Sequence, residues 1–179
     1  MADLSGKKVA ILVDNYFEEA EMTGPMKALN DAGAKTEIIA AEPKHGEVQG
    51  LNHVDKGHTF KIDKTLEEAN IDDYDALVLP GGAVNADQLR MQYKALEWVK
   101  NIVERGKPLA VICHAPWVLA SAGVANGRRL TSFYTIQDDL KNAGADWIDE
   151  EVVIDGNIIT SRTPDDIPAF NKALATLLA

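Results

Sequence analysis

The sequence predicts an α/β fold, a three-layer sandwich with a mostly parallel central sheet and helices on both faces. Continuous apolar runs at 8–13, 76–79 and 108–112 are typical of parallel strands that are buried on both sides. A helical pattern separates the first run from a second strand at 35–40, so the chain opens as a βαβ unit with a right-handed crossover. The 179 residues, 46% of them hydrophobic, suffice to cover such a sheet.

The other elements follow from periodicity and turn residues. The first helix is predicted from near Glu18 or Glu21 to Ala32, with Gly33 just past its end. The segment 45–63 is polar and contains glycines, which indicates a hairpin or an irregular excursion. The rest comprises a short helix at 65–69, helices at 88–105 and 116–122, a strand at 129–133, a helix at 136–142, strands at 151–154 and 158–161, and a helix at 165–178.

Composition narrows the classes of protein that need to be considered. We find no linker, internal repeat or low-complexity segment, so residues 1–179 are predicted to form one domain. The formal net charge of −10 repels phosphate backbones, and nucleic acid is not an expected partner. The apolar run at 9–13 is too short for a signal core, and no run approaches the roughly 18 residues that span a bilayer. We expect a cytoplasmic protein without a membrane partner.

Metal and disulfide chemistry are not expected. The single cysteine, Cys113, rules out an intramolecular disulfide and a cysteine-rich metal site. His45, His53 and His58 lie in one polar segment, but their spacing does not fit a helical pair of metal ligands. The turn at 80–82 lacks the Lys and Ser/Thr of a phosphate-binding loop. We therefore expect no metal and no cofactor.

The sequence PLAVICHAPW over residues 108–117 contains the motif that indicates a reactive cysteine. A buried strand leads into Cys113 and then into a helix, which is the arrangement of a nucleophile elbow. The positive end of that helix and its free N–H groups favour a thiolate, so we expect a lowered pKa for Cys113. The same N–H groups could bind an oxyanion. A lone cysteine is otherwise more often an inert packing residue.

Three strand ends carry unusual residues in this sequence. They are NYFEE at 15–19, PGG at 80–82 and Cys113 with His114. Binding sites of open parallel sheets lie at the carboxyl ends of the strands, so a carboxylate, a loop of N–H donors, a thiol and an imidazole are expected to converge.

Five stretches follow one another in a characteristic order: FEEAE at 17–21, ALVLPGG at 76–82, VICHAPW at 111–117, NAGADW at 142–147 and DGNIITSR at 155–162. In these stretches the chain resembles the PfpI-type intracellular protease family, which has a flavodoxin-like or Rossmann-like sheet and belongs to a superfamily with class I glutamine amidotransferase domains. The resemblance extends from about Lys8 to the end of the chain.

The resemblance implies a set of site residues. Cys113 matches the family nucleophile and His114 its base, and the carboxylate that contacts the thiol matches Glu18. Asp87 matches an acidic residue that reaches the histidine from a neighbouring subunit, although it could instead cap a helix beginning near Gln88.

The resemblance extends to the oxyanion site and to the walls of the pocket. The expected oxyanion donors are the N–H groups of Gly82 and His114, and Gly81 and Trp117 are expected at the substrate. Many relatives have glycine after the histidine, whereas this chain has Ala115, which tolerates less strain.

Two classes of function remain open at this stage. One is a stress-related cysteine-dependent hydrolase or lyase for small carbonyl compounds or peptide and amide bonds; family activities include peptide hydrolysis, glyoxalase chemistry and deglycation of methylglyoxal adducts. The alternative is a redox-sensing or chaperone-type stress protein in which Cys113 is oxidised to sulfenic or sulfinic acid. A glutamine amidotransferase domain needs a distant His-x-Glu, which is absent after Cys113. By resemblance, a homodimer or higher homo-oligomer is expected.

Overall fold

In a computed structural model, which describes residues 2–179, the chain forms strands and helices close to those predicted. The strands in this part of the chain are β1 (Lys8–Val13), β2 (Phe17–Glu18), β3 (Lys35–Ala40), β4 (Glu47–Asn52), β5 (Asp55–Lys61), β6 (Lys64–Thr65), β7 (Ala76–Leu79), β8 (Leu109–Ile112), β9 (Arg129–Leu130), β10 (Asp146–Trp147), β11 (Val153–Asp155) and β12 (Ile158–Ser161). The α-helices are α1 (Glu19–Asp31), α2 (Ala83–Leu89), α3 (Tyr93–Glu104), α4 (Pro116–Ser121), α5 (Gln137–Asn142) and α6 (Ile167–Leu178).

The central sheet has the order β11-β12-β8-β7-β1-β3-β6. Each neighbouring pair is parallel except β11 with β12, which form an antiparallel hairpin. Helices α3 and α4 pack on one face of the sheet, against strand residues such as Leu12. Helices α1 and α6 pack on the other face, against Ile11 and Val13. These strand residues are fully buried, as strands between two helical layers require. The predicted three-layer α/β fold is confirmed.

The order of strands explains the position of the site. The chain places β3 on one side of β1 and then crosses over to place β7 on the other side. The order of the strands therefore reverses at β1, and open α/β sheets bind ligands at such a point. Strands β1, β7 and β8 are neighbours, and their carboxyl ends lie at one edge of the sheet. The predicted convergence of the segments that follow these strands is therefore confirmed.

The predicted excursion at 45–63 is a hairpin of β4 and β5, which pair in antiparallel fashion. Strand β4 also pairs with β2, so the hairpin lies beside the chain that leaves β1. This small sheet of β2, β4 and β5 frames one side of the candidate site.

Three predicted elements differ from the structure. Residues 65–69 form a single turn, closed by the Ala69 N–H donating to the carbonyl of Thr65, and not a helix. The helix predicted at 88–105 is broken at 90–92: its first two residues end α2, and the rest is α3. The apolar period through Leu89 and Tyr93 was misleading, because Tyr93 is 72% exposed. The strand predicted at 129–133 ends at Leu130, because the Thr131 N–H donates to the Thr160 hydroxyl.

Within residues 2–179, no helix is both long enough and apolar enough to cross a membrane.

Candidate active site

Cys113 occupies a strained turn directly after β8. Its φ is 65°, in the left-handed region, which costs a residue with a side chain on the order of 1–3 kcal/mol. The Cys113 N–H donates to the carbonyl of Ser161 (3.0 Å), and its own carbonyl accepts from the Phe133 N–H (2.8 Å). The expected sharp turn is confirmed. Ala115 has an ordinary helical conformation (φ −60°, ψ −25°), so the strain lies at Cys113 and the missing glycine costs nothing.

The carboxyl group beside the thiol belongs to Glu21 and not to Glu18. Glu21 lies in the first turn of α1 with no exposed surface, and it is a hydrogen-bonding partner of the Cys113 thiol. The half-buried Glu18 instead turns to the hairpin, where both carboxylate oxygens accept from the His53 N–H at 3.2 Å. The placement of Glu18 at the thiol was therefore wrong, because residue 18 is the last residue of β2, next to β4, and α1 begins after it.

Burial dominates the electrostatics of this pair. It raises the pKa of Glu21 to about 8, and the nearby charge of Glu18 adds to that rise. Burial also raises the pKa of the Cys113 thiol, and an ionised Glu21 raises it further. The backbone N–H groups of Gly82 and His114 act in the opposite direction. The expected lowered pKa of Cys113 was thus wrong in direction, because the expectation omitted burial and the second acid.

The raised pKa of Glu21 has a direct consequence for the sulfur. At neutral pH Glu21 is protonated, so the Coulombic repulsion that opposes a thiolate is absent. Its Oε2 accepts the Gly81 N–H (2.8 Å), while Oε1 is buried without a nitrogen or oxygen partner, which further disfavours a charged carboxylate. The pair titrates as one unit.

His114 lies directly against the sulfur. Its Nδ1 is 3.2 Å from Sγ of Cys113, and its Nε2 is 3.4 Å from Oγ1 of Thr135. The ring stacks on Phe133 (4.7 Å between centroids) and meets the ring of Trp117 at a steep angle. Burial lowers the pKa of His114, which favours the neutral imidazole. A neutral ring whose Nε2–H donates to Thr135 leaves Nδ1 free to accept the thiol proton.

The turn at 80–82 closes the site opposite His114. The Gly82 N–H points at the sulfur, and Gly82 has φ 91°, which only glycine adopts readily. A Cβ on Gly81 would lie 2.5 Å from Oε2 of Glu21 and 2.6 Å from Cβ of Cys113. The N–H of Gly81 is bound to Glu21, so the expected contact of Gly81 with substrate through this group is not available. Because Gly81 has no side chain, Glu21 and Cys113 can instead approach its backbone closely.

The remaining predicted residues lie further from the sulfur. Asp87 is exposed inside α2, which starts at Ala83, so the capping interpretation was wrong. No hydrogen bond joins Asp87 to His114 within residues 2–179, and its action from a neighbouring subunit stays a prediction. Trp117 is half-buried; its Nε1 donates to Asp139, and the Arg90 guanidinium lies over its ring at 5.3 Å.

Sequence reasoning missed Glu21, Asn85 and Thr135. Glu21 could have been found, because it shares the buried stripe of α1 with Pro25 and Leu29 at intervals of four residues. Asn85 and Thr135 give no such signal, since Asn85 binds Asp14 and Thr135 contacts His114, and each of these partners is distant in the sequence.

The chain is similar to known proteins over nearly its whole length. The family model described as DJ-1/PfpI family matches residues 7–177. The chain belongs to the DJ-1/PfpI family. It is 43% identical over 171 residues to the Pyrococcus abyssi protein named Deglycase PYRAB04690, covering 96% of this chain and 99% of that protein. It is 42% identical over 173 residues to the putative cysteine protease YraA of Bacillus subtilis, covering 96% and 98%.

Solved structures of DJ-1/PfpI proteins share the fold. A two-domain protein of Anabaena variabilis, which contains DJ-1/ThiJ/PfpI-like and ferritin-like domains, superposes with a TM-score of 0.88 at 35% identity. The match covers 95% of this chain and 47% of that one, so the chain spans about half the length of the two-domain protein.

Proposed function

We propose that this chain is a cysteine-dependent hydrolase or lyase that acts on carbonyl compounds, with Cys113 as its nucleophile. One observation carries the proposal: the Cys113 thiol, the Glu21 carboxyl, the His114 imidazole and the Gly82 N–H meet at one strained turn. No single one of these groups would indicate catalysis. Together they supply a nucleophile, a base, a second proton carrier and a hydrogen-bond donor for developing negative charge.

The first step is attack by sulfur. Neutral His114 accepts the thiol proton on Nδ1, across the 3.2 Å contact, as the sulfur bonds to the carbonyl carbon. The π electrons of the carbonyl move to its oxygen. The N–H groups of Gly82 and His114 hold the sulfur while it is a thiolate, and in the adduct they are released to stabilise the oxyanion.

The second step depends on the substrate. With an acyl or amide bond, the oxyanion collapses, the bond from carbon to nitrogen breaks, and the leaving amine takes the proton from His114. Water then hydrolyses the thioester and restores the thiol. With a free aldehyde, the oxyanion takes the proton back from His114, and the product of the attack is a hemithioacetal. Relatives bear the names deglycase and putative cysteine protease, and these favour methylglyoxal, its adducts and peptide bonds as substrates to test first.

A specific observation favours a second candidate, oxidation of Cys113 as a stress signal. The buried Glu21 carboxyl lies against the sulfur, where a protonated carboxyl can donate a hydrogen bond to a sulfinate oxygen. The sequence has no second cysteine to resolve a sulfenic acid as an intramolecular disulfide. This candidate does not use the contact between His114 and the sulfur.

We propose that the protein is a cytoplasmic homodimer or larger homo-oligomer. Asp87, exposed on α2, would then reach His114 of a neighbouring copy. Light scattering tests the assembly: a mass at or above twice 19.4 kDa supports it, and a strict monomer removes Asp87 from the mechanism.

The deciding experiment compares wild type with Cys113→Ser. Turnover of methylglyoxal and of a fluorogenic peptide is measured for both, with intact mass before and after mild peroxide. Turnover by wild type alone supports the enzyme and selects its substrate class. Absence of turnover with a gain of one or two oxygens at Cys113 moves the oxidation candidate ahead. Equal turnover by both proteins overturns the assignment of Cys113.

A further inference from the structure

A buried asparagine, Asn85, ties the end of β1 to the turn that follows β7. Its side chain has no exposed surface and lies in the first turn of α2. Oδ1 accepts the N–H of Asp14 at 2.6 Å. Nδ2 donates to the carbonyls of Pro80 (3.0 Å) and Gly81 (2.9 Å). One amide therefore binds three backbone groups from two strand ends.

These three backbone groups lie just past the strands. β1 ends at Val13 and β7 ends at Leu79, so the groups that Asn85 binds follow directly after the ends of two neighbouring strands. A buried backbone N–H or carbonyl needs a partner, and one side chain binds all three groups here; the Gly81 carbonyl also accepts the Glu18 N–H at 3.2 Å. Asn85 therefore links the two strand ends just beyond the ladder that pairs β1 with β7.

The two carbonyl groups that Asn85 binds are each bonded to a backbone N–H donor of the site. The Pro80 carbonyl belongs to the same peptide unit as the Gly81 N–H, which binds Glu21. The Gly81 carbonyl belongs to the same peptide unit as the Gly82 N–H, which points at the sulfur. Peptide units are planar, so fixing each carbonyl fixes the direction of the N–H across from it.

No other side chain supplies this set of bonds. The position demands one acceptor and two donors on a short, flat group, which is the carboxamide of asparagine. Aspartate of the same shape would present an oxygen to two carbonyl oxygens. Alanine would remove the Asn85 partner of the Asp14 N–H and of the Pro80 carbonyl, and would leave the Gly81 carbonyl with the Glu18 N–H (3.2 Å) alone.

We infer that Asn85 is a positioning residue that aims the N–H groups of Gly81 and Gly82 at Glu21 and Cys113. Its catalytic consequence rests on the proposed function, but its effect on the reactivity of the thiol does not. The structure offers a matched control in Asn157, whose Nδ2 likewise donates to two carbonyls, of Lys107 (2.6 Å) and Ile102 (3.4 Å). Asn157 precedes β12, at the opposite edge of the sheet from the site.

The test uses Asn85→Asp and Asn85→Ala beside Asn157→Asp and Asn157→Ala in the full chain. Thermal unfolding is followed for each variant, together with kcat and KM on the substrate that wild type turns over. The rate of Cys113 alkylation by iodoacetamide is measured against pH. We expect the Asn85 variants to lose about 100-fold in kcat with KM changed by less than about threefold. Their alkylation midpoint should rise by about one pH unit, since a donor to the thiolate is misaligned.

The Asn157 variants should lose comparable thermal stability while retaining kcat and the alkylation midpoint. Folded Asn85 variants with wild-type kcat and midpoint overturn the inference, as do Asn157 variants with equal losses. Should Asn85→Ala fail to fold, Asn85→Ser, which keeps one donor and one acceptor, is measured in its place. If wild type turns over no substrate, the proposed function fails, while the alkylation midpoint still decides the role of Asn85.

Discussion

The carboxyl group of Glu21 lies against the thiol of Cys113, and only 0% and 7% of these two residues is exposed. Two ionised groups cannot share such a site, because neither charge is solvated and each repels the other. Glu21 keeps its proton up to a pH of about 8, so below that pH His114 can take the thiol proton beside a neutral acid. Proton exchange between Glu21 and Cys113 should therefore affect both turnover and stability.

The neighbouring acids Glu18 and Glu21 should differ sharply in their effect on turnover. Glu21→Gln removes the exchangeable proton beside the sulfur, and we expect kcat/KM to fall about 100-fold. Glu18→Gln disturbs a contact with the His53 N–H and removes a charge that adds to the raised pKa of Glu21, but it leaves the proton beside the sulfur, so a change of less than about threefold is expected. Steady-state kinetics on the substrate of wild type provides the comparison. Equal losses in the two variants would contradict the structural assignment of Glu21.

Glu21 should also make the stability of the protein fall as pH rises. Its pKa is about 8 in the folded chain against an ordinary 4.5, so between these values the folded state binds more protons than the unfolded state. Stability from this group is complete below pH 4.5 and is lost as pH rises through 8. Urea unfolding at pH 5 and pH 8 should show a decline in wild type that Glu21→Gln lacks. Parallel declines in both proteins would refute the assigned pKa.

Most of the sheet could be predicted from the sequence because its signals are local. The runs at 9–13 and 76–79 are apolar throughout, and a parallel strand between two helical layers needs that pattern. The break at 90–92 between α2 and α3 gave no such signal. Leu89 and Tyr93 are spaced as on one helical face, but Tyr93 is 72% exposed at the start of α3, so the spacing hid the break.

The nucleophile could be predicted, but its carboxyl partner could not be chosen correctly. A cysteine between a buried strand and a helix lies at the carboxyl end of that strand, whichever residues surround it. Glu18 and Glu21 are three residues apart, and the choice depended on where β2 ends and α1 begins. Element boundaries are the weakest part of a prediction from sequence. The buried stripe that Glu21 shares with Pro25 was the available clue.

Thr135 should control which nitrogen of His114 carries the proton. Its Oγ1 lies 3.4 Å from Nε2, and when Nε2 carries the proton and donates it to Oγ1, Nδ1 is free to take the thiol proton. We expect Thr135→Val to lower kcat about tenfold, because the other tautomer becomes accessible. Thr135→Ser keeps the hydroxyl and should retain kcat. Equal kcat values for these two variants would exclude the hydroxyl from the mechanism.

Activity should also persist to lower pH than an ordinary histidine allows. Burial lowers the pKa of His114 from 6.5, so the imidazole stays neutral and able to accept a proton below that pH. The profile of kcat/KM against pH should therefore have its acid limb below 6.5. An acid limb above 6.5 would mean that another group is the base.

Gly81→Ala tests whether close approach at the turn is needed for both folding and chemistry. The added Cβ would lie 2.5 Å from Oε2 of Glu21, 2.6 Å from Cβ of Cys113 and 2.8 Å from the Ile112 carbonyl, so the pair must separate. Overpacking of this kind costs about 1–3 kcal/mol of the free energy of unfolding. Gly123→Ala is the control, since its Cβ meets nothing within 4 Å, although its positive φ adds strain. We expect urea unfolding to show losses in both variants, but a rise in the alkylation midpoint of Cys113 only in Gly81→Ala. An unchanged midpoint in folded Gly81→Ala would show that the thiol and the carboxyl can move apart without altering the reactivity of the sulfur.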